Sequence, residues 1–289
     1  MPTNVARIGA NLAIGGFVPE IWSKRLNAIF YAQTYLMQIC NSDWQGDISS
    51  NGSVVKIRQT PEVEITEHTV GAPITYQDMT DDFIELLINR SLKWAIQRES
   101  IDKAQQDIDI FVSATDNAAR NMKIKMEKII LSAIYGDAGN VMTSVALDKT
   151  NVYDWIVDQG VLMDENNLPE QDRWLILPPK AAGLIAKSDL KNNYMTGDTN
   201  SVMRKNVTNE NIGMIQGIHI YSSNNVSKTG ATYNCISGQK SAVTFASQFT
   251  DVTKLVLESQ FGEAVRGQNL FGFKTVKPSA LNYAPVTIA

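Results

Sequence analysis

Cysteine is scarce. Cys40 and Cys235 are the only two in 289 residues. A pair so widely separated supports no disulfide framework, and the expected state is two buried thiols. The opening stretch, MPTNVARIGANLAIGG, lacks a basic start followed by a long apolar run, so it does not read as a secretory signal. No segment approaches the roughly 18 consecutive apolar residues of a membrane span. A chain made and kept in the cytosol is the expectation. Histidine is scarcer than its catalytic uses demand: His68 and His219 have no neighbouring Cys or second His, which argues against zinc. The phosphate-binding patterns G-x-G-x-x-G and G-x-x-x-x-G-K-[ST] are absent, and so is the G-x-S-x-G of serine hydrolases. Nor is there a basic excess. The net charge of −4 argues against general nucleic-acid binding.

What the chain does contain is interaction-ready structure. Hydrophobic residues make up 44% and charged residues 19%, a globular balance with enough length for one large or two small domains. Residues 1–16 form a small-residue arm that either packs on the body or reaches a neighbouring chain. A helical pattern follows in FVPEIWSKRLNAIFYAQTYLMQI, with Pro19 near its first turn. Val55 and Ile57 alternate with Lys56 and Arg58, as in a strand. A second extended stretch, residues 81–100, is rich in β-formers. Between the two lies PEVEITEHTVGAPITYQDMT, and the whole reads as a long hairpin with an elaborate tip. From residue 60 to 82 that tip carries Glu62, Glu64, Glu67, Asp78, Asp81 and Asp82, with no Lys or Arg. Two strands alone are marginal in water. The tip is either a solvated acidic loop or rests on a complementary surface of another subunit.

The next element is the longest. DIDIFVSATDNAARNMKIKMEKIILSAIYG has no glycine or proline before its last residue. The pattern predicts a helix from Asp102 or Lys103 to Tyr135, stopped by Gly136. The 33 residues from Lys103 to Tyr135 span roughly 50 Å at about 1.5 Å per residue. Ala119, Met122, Met126, Ile130 and Ala133 belong to one strong apolar face, while Ile110, Ile124 and Leu131 lie on the opposite side. Two apolar sides need two partners, the second being a strand, a loop or another chain. Arg120, Lys123, Lys125 and Lys128 read as solvated flanks, or as partners for an acidic tip from a neighbour. No strict heptad is kept, so a coiled coil is not expected.

From residue 150 the elements shorten. NVYDWIVDQGVLMDE reads as a helix, RWLILPP as a buried strand, and PKAAGLIAKS as a short helix with proline in its first turn. A polar loop spans 189–211. GMIQGIHIYSSNNV gives a strand and a turn, and NCISG, SAVTFA and KLVLESQFGEAVRGQNLFGFKTV give further strands. Gly262, Gly267 and Gly272 read as turns between strands. Asn51-Gly52 reads as a tight turn. Helices and strands mix without regular alternation, which is an α+β pattern. The two histidines read as a solvated loop residue, His68, and a sheet residue, His219. No catalytic, cofactor-binding or metal-binding constellation emerges.

The order of these elements resembles the major capsid protein of tailed bacteriophages, with the Hong Kong 97-type shell fold. FVPEIWSKRL is similar to that family's opening after its arm. GDISSNGSVVKIRQTPEVEI and LKWAIQRESIDKAQQD resemble the two strands of its extended E-loop. Residues 102–136 look like its spine helix, RWLILPPKAAGLI and NIGMIQGIHIYSSNNV like its axial-domain strands, and LESQFGEAVRGQNLFGFKTVKPSAL like the return to its peripheral domain. The resemblance implies four parts: arm and helix (1–45), E-loop hairpin (46–100), peripheral domain with spine helix (101–150 and 250–289) and axial domain (151–249).

It also implies a self-assembling coat protein of an icosahedral phage head, a virion component assembled in the host cytoplasm. Identical subunits would form pentamers and hexamers around packaged DNA, held without sequence-specific contacts. No cofactor and no membrane are implied. The expected inter-subunit contacts are Glu62, Glu64, Glu67, Asp78, Asp81 and Asp82 on the tip, with Arg120, Lys123, Ile124 and Lys128 on the helix. The shell pattern begins near residue 17, leaving no long N-terminal scaffolding region, so a separate scaffolding protein is expected, with a portal and possibly a decoration protein as further partners. The tip has no lysine from Thr60 to Asp82, so the lysine–asparagine cross-link of the family's best-known cross-linked member is not expected. The alternatives are an encapsulin-like cargo compartment with the same fold, another phage structural protein, or a soluble α+β enzyme.

Overall fold

The computed structural model describes residues 35–44, 54–59, 63, 65, 67, 76–77, 82–99, 108–188, 211–257 and 262–288. In chain order these form α1 (Leu36–Ile39), β1 (Val54–Arg58), β2 (Phe83–Leu87), β3 (Arg90–Glu99), α2 (Ile108–Ile134), β4 (Asn140–Val141), β5 (Val145–Leu147), α3 (Val152–Glu165), β6 (Arg173–Leu177), α4 (Pro179–Lys187), β7 (Asn211–Ile215), β8 (Ile218–Ser222), β9 (Lys228–Thr229), β10 (Thr232–Gln239), β11 (Val243–Val256), β12 (Gly262–Thr275) and β13 (Leu281–Ile288).

The continuous apolar run of β6 shows how the body is built. All five of its residues are buried, which is what a strand covered on both faces requires. Its side chains divide by parity. Trp174 and Ile176 join the core under the long helix α2, with Met122, Met126, Ile130, Ile134, Ile236 and Phe245. Leu175 and Leu177 join a second core with Trp155, Ile156 and Met163 of α3 and Ala181 and Ile185 of α4. The strands are thus a middle layer between α2 and the α3–α4 pair. They form a mixed eight-stranded sheet in the order β4-β13-β10-β6-β8-β7, with β5 on β13 and β9 on β10. β6 and β8 run parallel, and α4 lies in the crossover that a parallel pair needs. The last strand, β13, is a member of this sheet and pairs with β10. Both cysteines are free and buried, Cys235 in β10 and Cys40 at the end of α1. Burial pushes the Cys40 thiol up to about 12, helped by the Glu127 charge, and burial raises Cys235 as well.

A separate three-stranded antiparallel sheet, β11-β12-β3, carries the long strands. A two-stranded ribbon, β1 with β2, stands on it. This division corrects the expectation of one returning strand over 81–100. The chain pairs with β1 from Phe83 to Leu87, then leaves the ribbon at Ile88–Asn89 and pairs with β12 from Arg90 to Glu99. Steric fit at Gly272 permits the change of sheet. A Cβ there would collide with the Leu87 carbonyl oxygen and lie 3.0 Å from Ile88 Cα.

Gly262, Gly267 and Gly272 are therefore not turns; all three lie inside the 14-residue β12. Gly267 faces Trp94 across the ladder, and a Cβ would sit 2.5 Å from the indole Nε1, so its hydrogen makes room for a ring. The stretch from residue 211 to 222 is two strands rather than one. Gln216 and Gly217 turn it with φ of 48° and 76°, the doubly positive geometry of a two-residue hairpin. The long helix ends at Ile134 and leaves through a 3-10 turn at Tyr135–Asp137, so Gly136 is not a left-handed cap. The helix start at Asp102 or Lys103, the arm and its helix before Tyr35, the Asn51-Gly52 turn and the loop 189–210 lie outside the described residues.

Candidate assembly surface

The ribbon has two unlike faces because strand side chains alternate. Val55, Ile57 and Leu86, with Ile88, point inward and bury against Ala246, Trp44, Leu270 and Val276. The root of the ribbon is therefore seated on its own body. The outward face carries exposed Val54, Phe83 and Leu87. Val54 lies directly opposite Leu87, and Lys56 Nζ sits 4.3 Å from the centre of the Phe83 ring. The ladder continues one step past the strands, with Gln59 N donating to Asp82 O at 2.9 Å.

Towards the tip the exposure becomes extreme. Ile65 is 93% exposed and Tyr76 89%, and Val63 is exposed with them. Glu67 and Asp82 are exposed too. Glu62, Glu64, Asp78 and Asp81 lie outside the described residues, as does His68. Single exposed apolar residues are ordinary, but three on one acidic segment mark a surface suited to a partner.

Helix α2 runs 27 residues, about 40 Å at about 1.5 Å per residue. It lacks internal Gly and Pro, and its inward face of Ala119, Met122, Met126, Ile130 and Ile134 is fully enclosed. Glu127 fastens this helix to the turn after β8. Ser223 Oγ donates to Glu127 Oε1 at 3.1 Å, and Asn225 Nδ2 donates to Oε2 at 2.8 Å. The carboxylate is buried, and these donors compensate its lost hydration. Sequence periodicity did not single it out.

The expected helix contacts divide. Arg120, Ile124 and Lys128 face outward, with Ile124 43% exposed. Lys123 corrects the reading of a solvated flank: it is 2% exposed, on the inward face. Among the described residues its Nζ has no hydrogen-bond partner. Burial lowers its pKa from 10.5 to about 8, and the Arg120 charge adds to this. Leu131, read on the second side, is buried as well, so the second apolar side reduces to Ile124 among the described side chains.

His219 is half-buried in β8, as a sheet residue. Among the described residues no group of three or more His, Cys, Asp or Glu side chains could hold a metal ion. Among the described residues, the exposed surfaces that stand out are the ribbon and the outer face of α2.

Comparison with known proteins agrees. A family model described as phage capsid protein matches residues 89–278, and the chain belongs to that family. The fold is shared with solved structures. One from Mycobacterium phage Che8 is 22% identical, with a TM-score of 0.72 over 88% of this chain and 91% of that one. The capsid structure of cyanophage P-SCSP1u is 13% identical, with a TM-score of 0.63 over 100% and 93%. A virus-like particle from Pyrococcus furiosus is 14% identical, with a TM-score of 0.55 over 94% and 100%. No curated protein matches the chain. The chain is a phage major capsid protein with the Hong Kong 97-type α+β fold, a structural component of the virion.

Proposed function

We propose that the chain forms the icosahedral head as pentamers and hexamers enclosing packaged DNA, and that the ribbon tip and the outer face of α2 are contacts between subunits. The observation that carries the contact is exposure: among the described residues, the ribbon buries its root on the body and leaves Val63, Ile65 and Tyr76 in water. Glu62, Glu64, Glu67, Asp78, Asp81 and Asp82 supply the acidic charge on its side of the contact, and Arg120, Ile124 and Lys128 the helix side. Lys123, turned inward, leaves the contact set. The four-part division into arm (1–45), hairpin (46–100), peripheral (101–150 and 250–289) and axial (151–249) regions belongs to the same reading.

The net charge of −4 suits an inner wall that does not hold DNA through phosphate contacts. A portal, a scaffolding protein and a decoration protein are further partners of such a head, built in the host cytoplasm. Negative-stain microscopy of the purified chain, alone and co-expressed with its neighbouring head genes, tests the reading. Closed shells of uniform diameter are expected. A monomer or small oligomer under every condition overturns it.

A further inference from the structure

β6 and β8 run parallel, so both begin at the same end of the central sheet. A notch of about 160 Å³ opens there. Gln38 of α1, Asp172 and Trp174 at the start of β6, His219 of β8 and Lys240 line it. Lys240 opens the 3-10 turn Lys240–Ala242 that follows β10. The backbone around the notch is pinned. Lys240 N donates to Asp172 O at 3.2 Å, and Gln239 Nε2 donates to Gln171 O at 3.4 Å.

Two observations say what the notch can take. Trp174 is 1% exposed, and its indole Nε1–H has no hydrogen-bond partner among the described residues. A buried indole N–H ordinarily finds an acceptor, and the notch is a polar space that its ring borders. The second observation is charge. Lys240 and Asp172 both line the notch, yet neither is in an ion pair among the described residues. Arg173, the other cation of the wall, is already engaged: Nε and Nη2 donate to the Pro169 and Leu168 carbonyls, and Nη1 pairs with Asp164. A group that satisfies this set accepts from Trp174, His219 and Lys240 and donates to Asp172. A carboxylate or a sulfate only accepts at neutral pH, and a facing carboxylate repels it. Hydrogen phosphate does both, because it keeps a P–O–H.

We propose that the notch binds one hydrogen phosphate group, with Trp174, His219 and Lys240 donating to its oxygens and Asp172 accepting its P–O–H. The site belongs to the single subunit; it goes beyond the capsid reading and does not depend on it. The charge-assisted bonds from Lys240 and to Asp172 supply most of the affinity. Since Gln38 forms one wall, the bound group also ties α1 to the sheet.

Titration of the full-length unassembled subunit with inorganic phosphate tests it, the indole N–H signals of nitrogen-labelled tryptophan being followed by NMR. One indole signal is expected to shift saturably at millimolar phosphate, and Trp174→Phe is expected to remove that signal. Lys240→Gln is expected to weaken binding by about tenfold, as the loss of a charged hydrogen bond does. Sulfate is expected to bind about tenfold more weakly than phosphate, and Asp172→Asn to erase that preference. An oligonucleotide without terminal phosphates, whose diesters carry no P–O–H, is expected to leave the signal in place. The site is overturned by any of four results: no saturable shift, as from a notch holding water alone; unchanged affinity in Lys240→Gln; sulfate bound as tightly as phosphate by the wild type; or an equal shift from the oligonucleotide. Each of them leaves the capsid reading standing, which the appearance of closed shells decides separately.

Discussion

The central sheet and the ribbon are both made of strands, yet they are finished differently. In the sheet, β6 is buried on both faces, with Trp174 and Ile176 under α2 and Leu175 and Leu177 under α3 and α4. In the ribbon, β1 and β2 bury one face on Ala246, Trp44, Leu270 and Val276 and leave Val54, Phe83 and Leu87 in water. The first is complete within one chain. The second, among the described residues, is covered at its root and bare on its outward face. On the proposed reading, stability resides in the sandwich and assembly in the ribbon and the outer face of α2, and substitutions in the two regions should separate cleanly.

The largest effect is expected in the sandwich. Leu175→Ala removes a fully enclosed side chain and should cost about 2–5 kcal/mol, measured as a lower unfolding midpoint of the unassembled subunit. At the junction between the regions, Gly272→Ala forces a methyl onto the Leu87 carbonyl. It should cost about 1–3 kcal/mol and shift the ribbon root, visible as faster amide exchange at 84–88. A midpoint unchanged from wild type would place the junction elsewhere.

Lys123 sharpens the comparison from the other side, because here the body itself is imperfect. Its ammonium is enclosed, with no hydrogen-bond partner among the described residues, so Lys123→Met should stabilise the subunit by about 1–3 kcal/mol. The pH dependence has a definite sign. The folded pKa of about 8 lies below the ordinary 10.5, so between those values the unfolded chain binds more protons. Stability from this residue then rises as pH climbs from about 8 towards 10.5, and the full penalty is present below about 8. Lys123→Met should remove that rise from the denaturation midpoint. An identical pH profile in the variant would count against the burial.

The smallest effect on stability, and the sharpest contrast, belongs to the tip. Ile65→Ser alters an almost fully exposed side chain and should change subunit stability by no more than about 0.5 kcal/mol. Shell yield, followed by sedimentation, should nonetheless fall. A large loss of subunit stability would show that Ile65 packs on its own body.

Much of this division was legible in residue order. The RWLIL run, the proline-led PKAAGLIAKS helix and the apolar face of the long helix each carry a strong local period, and the structure holds them at those positions. Features set by contacts between distant segments were not legible. Gly267 and Gly272 resemble turn residues in isolation. Their purpose is visible only once Trp94 and Leu87 lie against them, which are 173 and 185 residues earlier in the chain. The break at Ile88–Asn89 leaves no mark because both sides of it are β-formers. Lys123 was misread because charge is a surface signal on average, while the helical phase shared with Met126 and Ile130 places it inside. Glu127 was overlooked for the converse reason: its partners Ser223 and Asn225 are 96 and 98 residues away.

Amide hydrogen exchange on free subunits and on assembled particles tests the division most directly. Residues 173–177 should be protected in both states, whereas residues 62–67 should exchange freely in the subunit and become protected in the particle. Equal exchange of 62–67 in the two states would contradict a ribbon completed by a neighbouring copy.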